Sequence, residues 1–407
     1  MKNFKLGIAL LLSSTCVSLT SCLLVPDSGE ESGTIVDIAP VPSPVQDPDT
    51  YTCNPLDDDD GGGPSQTLPA DQGVRGMLYY LQPDQPRYNR VADYLTYGTF
   101  AQAIDSLTNQ LTEIALYFNR IYIPTRPFDR GFTTVSGQQL QTPQGNTLFE
   151  YFAVRHEGRI QLANRSEGLY QMAVLSDDGA MFSMDFGSGY QNIVSNDGDH
   201  PTRMGCATVP VALSSADKIP YILDYYQGPR YHISLILMWR PWPMSAADPT
   251  QPATVAEATD AFCGVQGNSF YFDSTQDPPA PTANYNALLS RGWAPLDPEN
   301  YLLPEESKPN PCNEPAPVIS NFQVTSITSN SITLAWDTDR PATSQVIYRL
   351  SSDVAESITN SDGFFYTRHV VTVPGLQPNM DYVMRALSSS TSGLSSESAP
   401  RTIRTRR

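Results

Sequence analysis

From Gly73 to Pro241 the chain runs in short aromatic and β-branched segments separated by Gly, Asn, Asp and Pro. That rhythm predicts an all-β sandwich. Strands are expected at Gly76–Leu81, Ala115–Pro124, Leu148–His156, Gly158–Ala163, Gly168–Leu175, Met181–Asp185, Ile219–Tyr226 and His232–Arg240. One segment departs from the pattern, because Phe100, Ile104, Leu107, Leu111 and Ile114 recur at alternating spacings of four and three. This predicts an amphipathic helix over residues 99–112, capping the end of the sandwich. Residues 242–314 are Pro-rich and irregular, with a short helix expected near Ala283–Ser290, and read as a connector packed on its neighbours. Beyond Pro315 alternation returns in Ser331–Trp336 and Gln345–Tyr348, so residues 315–404 suit a second, seven-stranded sandwich.

The N-terminus is patterned differently. Lys2 and Lys5 precede an apolar run, Leu6–Leu19, that is too short to span a bilayer and reads as a signal peptide over residues 1–21. Its end, Leu19-Thr20-Ser21-Cys22, resembles the bacterial lipobox, which implies lipid on Cys22. Leu23, rather than Asp, after that cysteine is compatible with sorting to the outer membrane, facing the periplasm or the exterior.

Charge sets the segment after the signal peptide apart. The chain carries a formal net charge of -18, and residues 23–72 hold eleven carboxylates with no Lys or Arg. Rich in Pro, Ser and Gly, residues 22–72 bury too little surface to offset the entropy of ordering and read as a disordered, self-repelling tether. Within it, Asp57–Asp60 ahead of three glycines reads as solvated linker in preference to a weak calcium site. An acidic chain is a poor partner for nucleic acid.

Once Cys16 leaves with the signal and Cys22 takes lipid, four cysteines remain: Cys53, Cys206, Cys263 and Cys312. In an exported chain they read as two disulfides with three connectivities, of which Cys206 with Cys263 and Cys53 with Cys312 is favoured. No Cys or His spacing supports zinc.

The candidate chemistry lies at Asp177 and Asp178, placed at a turn between two strand-like runs. Adjacent carboxylates repel each other and favour a hard cation such as calcium, whose six to eight oxygen ligands leave positions for a sugar diol. Asp-Asp-Gly also makes a good β-turn, so the same residues suit a purely structural role. Asn196, Asp197 and Asp199 form a second oxygen-rich loop around Gly198, while Tyr190, Tyr226 and Tyr231 suit either stacking on a pyranose or core packing. The chain has no Gly-x-Ser-x-Gly, His-Glu-x-x-His or P-loop pattern, which argues against a hydrolase.

Tyr170–Asp185, centred on Ser176-Asp177-Asp178-Gly179-Ala180, resembles the signature of the sandwich family named after the N-terminal part of anthrax protective antigen (PA fourteen). Leu78-Tyr79-Tyr80, Phe152-Ala153-Val154-Arg155, Gly158-Arg159-Ile160, Asn196–His200 and Tyr225–Tyr231 follow in the family's order. The resemblance covers residues 73–241. In the flocculin branch of that family, two consecutive aspartates hold a calcium ion that binds vicinal sugar hydroxyls, helped by an Asn and main-chain oxygens of a later loop. Asp177 and Asp178 match the pair, and the later loop corresponds to Gln227–Arg230, with Gln227 in place of Asn. Trp336, together with the tyrosine-corner pattern Leu376–Tyr382, resembles the fibronectin type III fold.

The expectation is therefore a non-catalytic, lipid-anchored envelope protein. Its first domain would bind a glycan with calcium at Asp177 and Asp178, with Asn196, Asp197, Asp199, Gln227 and Tyr231 around the ligand. The alternative is a structural or assembly protein binding other envelope proteins.

Overall fold

The structure is a computed structural model that describes residues 50–56, 68–105, 107, 109–135 and 137–407. The signal peptide, Cys22 and Asp57–Asp60 lie outside the described residues. Everything described falls within one unit, Pro40–Arg407.

Two sheets build the N-terminal body. The first runs in the order Tyr51–Cys53, Ala115–Phe118, Val74–Tyr80, Phe152–Ile160, Ile219–Gln227, Ala180–Asp185, Tyr190–Asn196. The second runs Arg203–Cys206, Gly168–Asp177, His232–Pro241, Ala294–Pro295, with Tyr122–Pro127 paired to the His232 strand. Their facing sides meet in one core that includes Phe152, Val154, Phe182, Tyr221 and Leu223 from the first sheet and Met172, Val174, Leu235, Leu237 and Trp239 from the second. Alternation along each strand puts these residues inward, and their burial supplies the main driving force for pairing the sheets.

The central strands of the second sheet are apolar on both sides for a visible reason. Their outward residues Ala173, Leu175, Ile236 and Met238 pack under Tyr271, Phe272, Tyr285, Leu288 and Trp293 of the 242–314 segment. That segment includes a helix, Ala283–Ser290, whose N-cap Thr282 accepts the N–H of Tyr285. A buried ionic knot fixes it in place. Asp260 accepts hydrogen bonds from Arg240, Arg291, the Trp293 indole and the N–H of Phe262. Burial pushes the Asp260 carboxyl up, but these donors outweigh it and hold the group below its ordinary range. Disulfides Cys206–Cys263 and Cys53–Cys312 staple the same region, in the favoured pairing.

The structure corrects four features of the sequence reading. Residues 99–112 are not helical: Gln102–Asp105 and Gln110–Glu113 pair as an antiparallel hairpin. Asn109 takes a φ of 55° at its turn, and Leu111 is 63% exposed, so the apolar spacing does not mark one buried stripe. The helix stands earlier, at Val91–Tyr97, where Val91 and Tyr94 pack with Tyr79, Ala153 and Tyr226 on the outer side of the first sheet. Second, Phe152–Ile160 continues as one strand through Gly158. A Cβ there would stand 2.7 Å from the Leu302 carbonyl oxygen, so the glycine admits a close neighbour and does not end the strand. Third, Ala115–Pro124 divides into Ala115–Phe118 in the first sheet and Tyr122–Pro127 in the second. Fourth, the segment 22–72 is not a tether throughout: Tyr51–Cys53 pairs in parallel with Ala115–Phe118 at the edge of the first sheet, where Tyr51 is buried and Cys53 is bonded to Cys312.

Residues 319–404 form the second body, an all-β sandwich. Ile319–Ile327, Ile332–Ala342 and Tyr366–Val373 make one sheet, and strands that include Gln345–Leu350, Asp381–Ser389 and Arg401–Arg404 make the other. Trp336 is buried between them, donates its indole N–H to Ser388 at 2.9 Å and stacks on His369. The Tyr382 hydroxyl accepts the N–H of Gln377 at 2.9 Å, closing the corner at the start of its strand.

Candidate functional site

Asp177 and Asp178 occupy a change of sheet. Gly168–Asp177 belongs to the second sheet and Ala180–Asp185 to the first, so the pair forms the crossing between the two layers at one end of the sandwich. The Asp177–Asp178 peptide bond is cis. Gly179 completes the turn because nothing larger fits: a Cβ there would lie 2.4 Å from the Tyr226 ring.

Both carboxyls are buried, at 6% and 7% exposure. Oδ1 of Asp178 accepts the N–H of His200 at 3.0 Å and Oδ2 accepts the N–H of Gly228 at 2.9 Å. Burial pushes this carboxyl up to about 6, while the two N–H groups pull against it and the Asp199 charge adds to it. Asp177 is pushed up to about 8, by burial first and then by the charge of Asp178, against hydrogen bonds from Thr202. Its main-chain oxygen lies 2.6 Å from the Tyr225 hydroxyl. Neither carboxylate has an ion-pair partner among the described residues.

The other anticipated residues divide between the site and the framework. Asp199 is exposed and reaches the site, where Oδ1 accepts the Tyr226 hydroxyl at 2.7 Å. Asp197 lies close to the turn but is spent on the framework: Oδ1 accepts the N–H of Val91 at 3.0 Å and of Gly198 at 2.9 Å, fixing the start of the Val91–Tyr97 helix. Asn196 is also structural, with 1% exposure, its amide bonded to Ser176 Oγ and to the Arg203 carbonyl, and its oxygen to Arg203 Nε. Gln227, placed by sequence at the ligand, is 1% exposed and turned inward, with Oε1 at 2.8 Å from the Tyr225 hydroxyl and Nε2 on the Pro229 carbonyl. Tyr231 is 69% exposed, three residues beyond Gly228, and no contact joins it to the turn among the described residues. Tyr226, by contrast, is a core residue stacked on Tyr94 with ring centroids 4.7 Å apart.

Two kinds of group escaped the sequence reading. The main-chain N–H groups of His200 and Gly228 carry no side-chain signature. Tyr94 arrives from a helix more than eighty residues earlier in the chain, and no local pattern connects it to Asp178.

The donor chemistry suits a hard cation. Asp178 and Asp199 offer only oxygen, and each oxygen of Asp178 keeps a second lone pair beyond its N–H partner. A divalent ion would also relieve the raised carboxyls that burial creates. Among the described residues no three His, Cys, Asp or Glu side chains gather as a ready-made metal centre. A cation at this turn would have to complete its shell with main-chain, water or ligand oxygens.

Comparison with known proteins bears on the C-terminal body most directly. Residues 315–404 match the fibronectin type III domain model, the assignment that Trp336 and Tyr382 predict. A search of curated proteins finds no match. Among solved structures the chain is similar to the PA14 domain of the MpAFP antifreeze protein, with 14% identity over 45% of this chain and 86% of that one, and a TM-score of 0.29. It is similar to the epithelial adhesin 6 A domain of Candida glabrata, solved with Galb1-3GlcNAc, at 15% identity over 54% of this chain and 95% of that one, TM-score 0.26. An anti-sigma factor domain-containing protein from Clostridium clariflavum aligns at 10% identity over 83% and 100% of the respective chains, TM-score 0.28.

Proposed function

We propose that the protein is a non-catalytic, lipid-anchored envelope protein that binds glycans with the help of calcium at the Asp177–Asp178 turn. The observation that carries this reading is a pair of buried, adjacent carboxyls without a cationic partner among the described residues, set where the chain crosses between the two sheets and close to Asp199. The sequence resemblance of Tyr170–Asp185 to the PA fourteen signature supports the same reading. Bound calcium supplies coordination positions that vicinal hydroxyls of a sugar can fill. The protein's own part is orientation. His200 and Gly228 fix the plane of the Asp178 carboxylate, Thr202 holds Asp177, and Tyr231 offers an aromatic face to an apolar side of a pyranose. A lipid on Cys22 and an acidic tether would present many copies on one surface and raise avidity without new contacts. A glycan array probed with the protein in calcium and in chelator tests the proposal. Binding that ignores both chelation and Asp178→Asn overturns it.

A further inference from the structure

A cavity of about 380 Å³ opens between two loops from distant parts of the chain. One side is residues 126–133, where the chain leaves the strand Tyr122–Pro127, and the other is residues 274–279 of the 242–314 segment, with Pro55 beside them. The volume falls in the range of about 300–1,000 Å³ usual for small-molecule sites. Pro55 and the 274–279 loop lie outside residues 73–241, and the cavity shares no lining residue with the turn at Asp177 and Asp178.

Its walls are held in place by the fold. Arg126, 5% exposed, donates to the carbonyls of Leu56 and Pro127, tying the segment around Pro55 to its own strand. Two residues before Pro55, Cys53 is bonded to Cys312. Phe128 is buried edge-on against Phe132 and Phe152, and its N–H donates to the Tyr231 carbonyl at 2.9 Å. Across the cavity, Asp273 accepts the N–H and hydroxyl of Thr275 and the amide of Gln276, while Ser274 Oγ lies 3.3 Å from His232 Nε2. Walls ordered in advance cut the entropy that a ligand must overcome.

The groups left over are polar and of both signs. Asp129, Arg130, Thr133 and Asp277 line the cavity with exposed side chains that make no hydrogen bond or ion pair among the described residues. Arg126 and Arg130 balance Asp129 and Asp277, so the lining has no net charge with which to select an ion. An apolar ligand would strip water from these groups and replace none of it. A hydroxyl both donates and accepts, so a neutral polyol can donate to the carboxylates and accept from the guanidinium at once.

We propose that this cavity is a second saccharide site, which takes a neutral pyranose without a metal ion. Asp129 and Asp277 accept from ring hydroxyls, one from each loop, Arg130 donates to another, and Arg126 holds the wall. The loop 228–231 separates it from the sheet-crossing turn, since Gly228 donates to Asp178 at one end and Tyr231 accepts from Phe128 at the other.

Saturation-transfer difference NMR on the full chain in chelator, with glucose, galactose, mannose and N-acetylglucosamine as probes, tests this assignment. At least one sugar is expected to receive saturation from the wild type. R130A and D277N should each weaken its apparent affinity by about ten-fold, the span of one hydrogen bond to a charged group. Thermal melts establish that both variants are folded, and D129N replaces either one that is not. Absence of transfer to all four sugars overturns the proposal, and so does binding that the variants leave intact. Because calcium is withheld throughout, the glycan binding proposed at Asp177 and Asp178 is measured separately and stands or falls by its own result.

Discussion

Asp178 Oδ2 accepts the main-chain N–H of Gly228 at 2.9 Å, joining two points fifty residues apart in the chain. The bond ties the sheet-crossing turn to the loop that begins at Gly228, so that charge on Asp178 and the position of that loop are coupled. In Asp178→Asn the charge disappears while the volume stays. Without calcium two effects oppose each other: the charge that burial disfavours is removed, while the new amide NH2 leaves one of the N–H groups of His200 and Gly228 without an acceptor, at a cost of about 1–3 kcal/mol. With calcium at a hundred times its dissociation constant, wild type should gain about 2.7 kcal/mol and the variant nothing. Urea denaturation with and without calcium reads both quantities; an equal calcium gain in the two proteins refutes the coupling.

Gly179→Ala probes the same turn by steric means. The added methyl would meet the Tyr226 ring at 2.4 Å, the Gly198 N at 2.8 Å and Asp197 Oδ1 at 2.9 Å. Overpacking of this kind costs about 1–3 kcal/mol. Because Tyr226 donates to Asp199, its displacement should also weaken any binding at the site. A variant with wild-type stability would show that the turn has slack that these distances deny.

The buried knot at Asp260 makes a prediction about the architecture alone. Asp260→Ala leaves Arg240, with a side chain only 10% exposed, without its carboxylate, and strips acceptors from Arg291 and the Trp293 indole. Breaking a buried pair on one side costs about 3–5 kcal/mol. The expected result is a lower denaturation midpoint and earlier proteolysis within residues 242–314. Unchanged resistance to protease would mean that apolar packing under the second sheet suffices by itself.

His369 gives the C-terminal sandwich a sensitivity to acid. Burial holds its imidazole down at about 4, between the hydroxyls of Thr338 and Ser344 and against Trp336. Unfolded histidine titrates near about 6.5, so between about 6.5 and 4 the unfolded chain takes up a proton that the folded one refuses. Stability from this group is fully present above that window and falls as pH drops through it. By pH 5 the loss amounts to about 2 kcal/mol relative to pH 7. The difference in stability between wild type and His369→Gln, followed from pH 7 to 5, isolates it. A difference independent of pH would contradict the assignment. In the N-terminal sandwich His156, likewise held at about 4, is opposed by the raised Asp177 and Asp178, so its contribution is not read in the same way.

Much of the fold was legible because strand signals are local. Alternation through Ile332–Trp336 and the tyrosine corner at Tyr382 need only neighbouring residues to be recognised, and the structure places both side chains in the core. The segment at residues 99–112 misled for the same reason. Its helix-like spacing is a local property, but pairing of Gln102–Asp105 with Gln110–Glu113 and the packing of Phe100 on Tyr79 at 4.2 Å override it.

By itself the sequence determined an all-β chain with two bodies, an acidic N-terminal segment without cations, a favoured pairing of cysteines, and a turn at Asp177 and Asp178 with the chemistry to attract a cation. The strands depend on periodicity and the acidic segment on composition, which local residue order carries in full, while of three cysteine connectivities the sequence favoured one that the structure then showed. Only the tertiary structure decided that the turn crosses between sheets, that Gln227 and Asn196 are spent inside the framework, and that Asp197 fixes a helix while Asp199 approaches Asp178. Periodicity tells a side chain whether it faces inward. Which distant group waits there, a main-chain N–H of Gly228 or the hydroxyl of Tyr94, is settled only when the sheets close on each other.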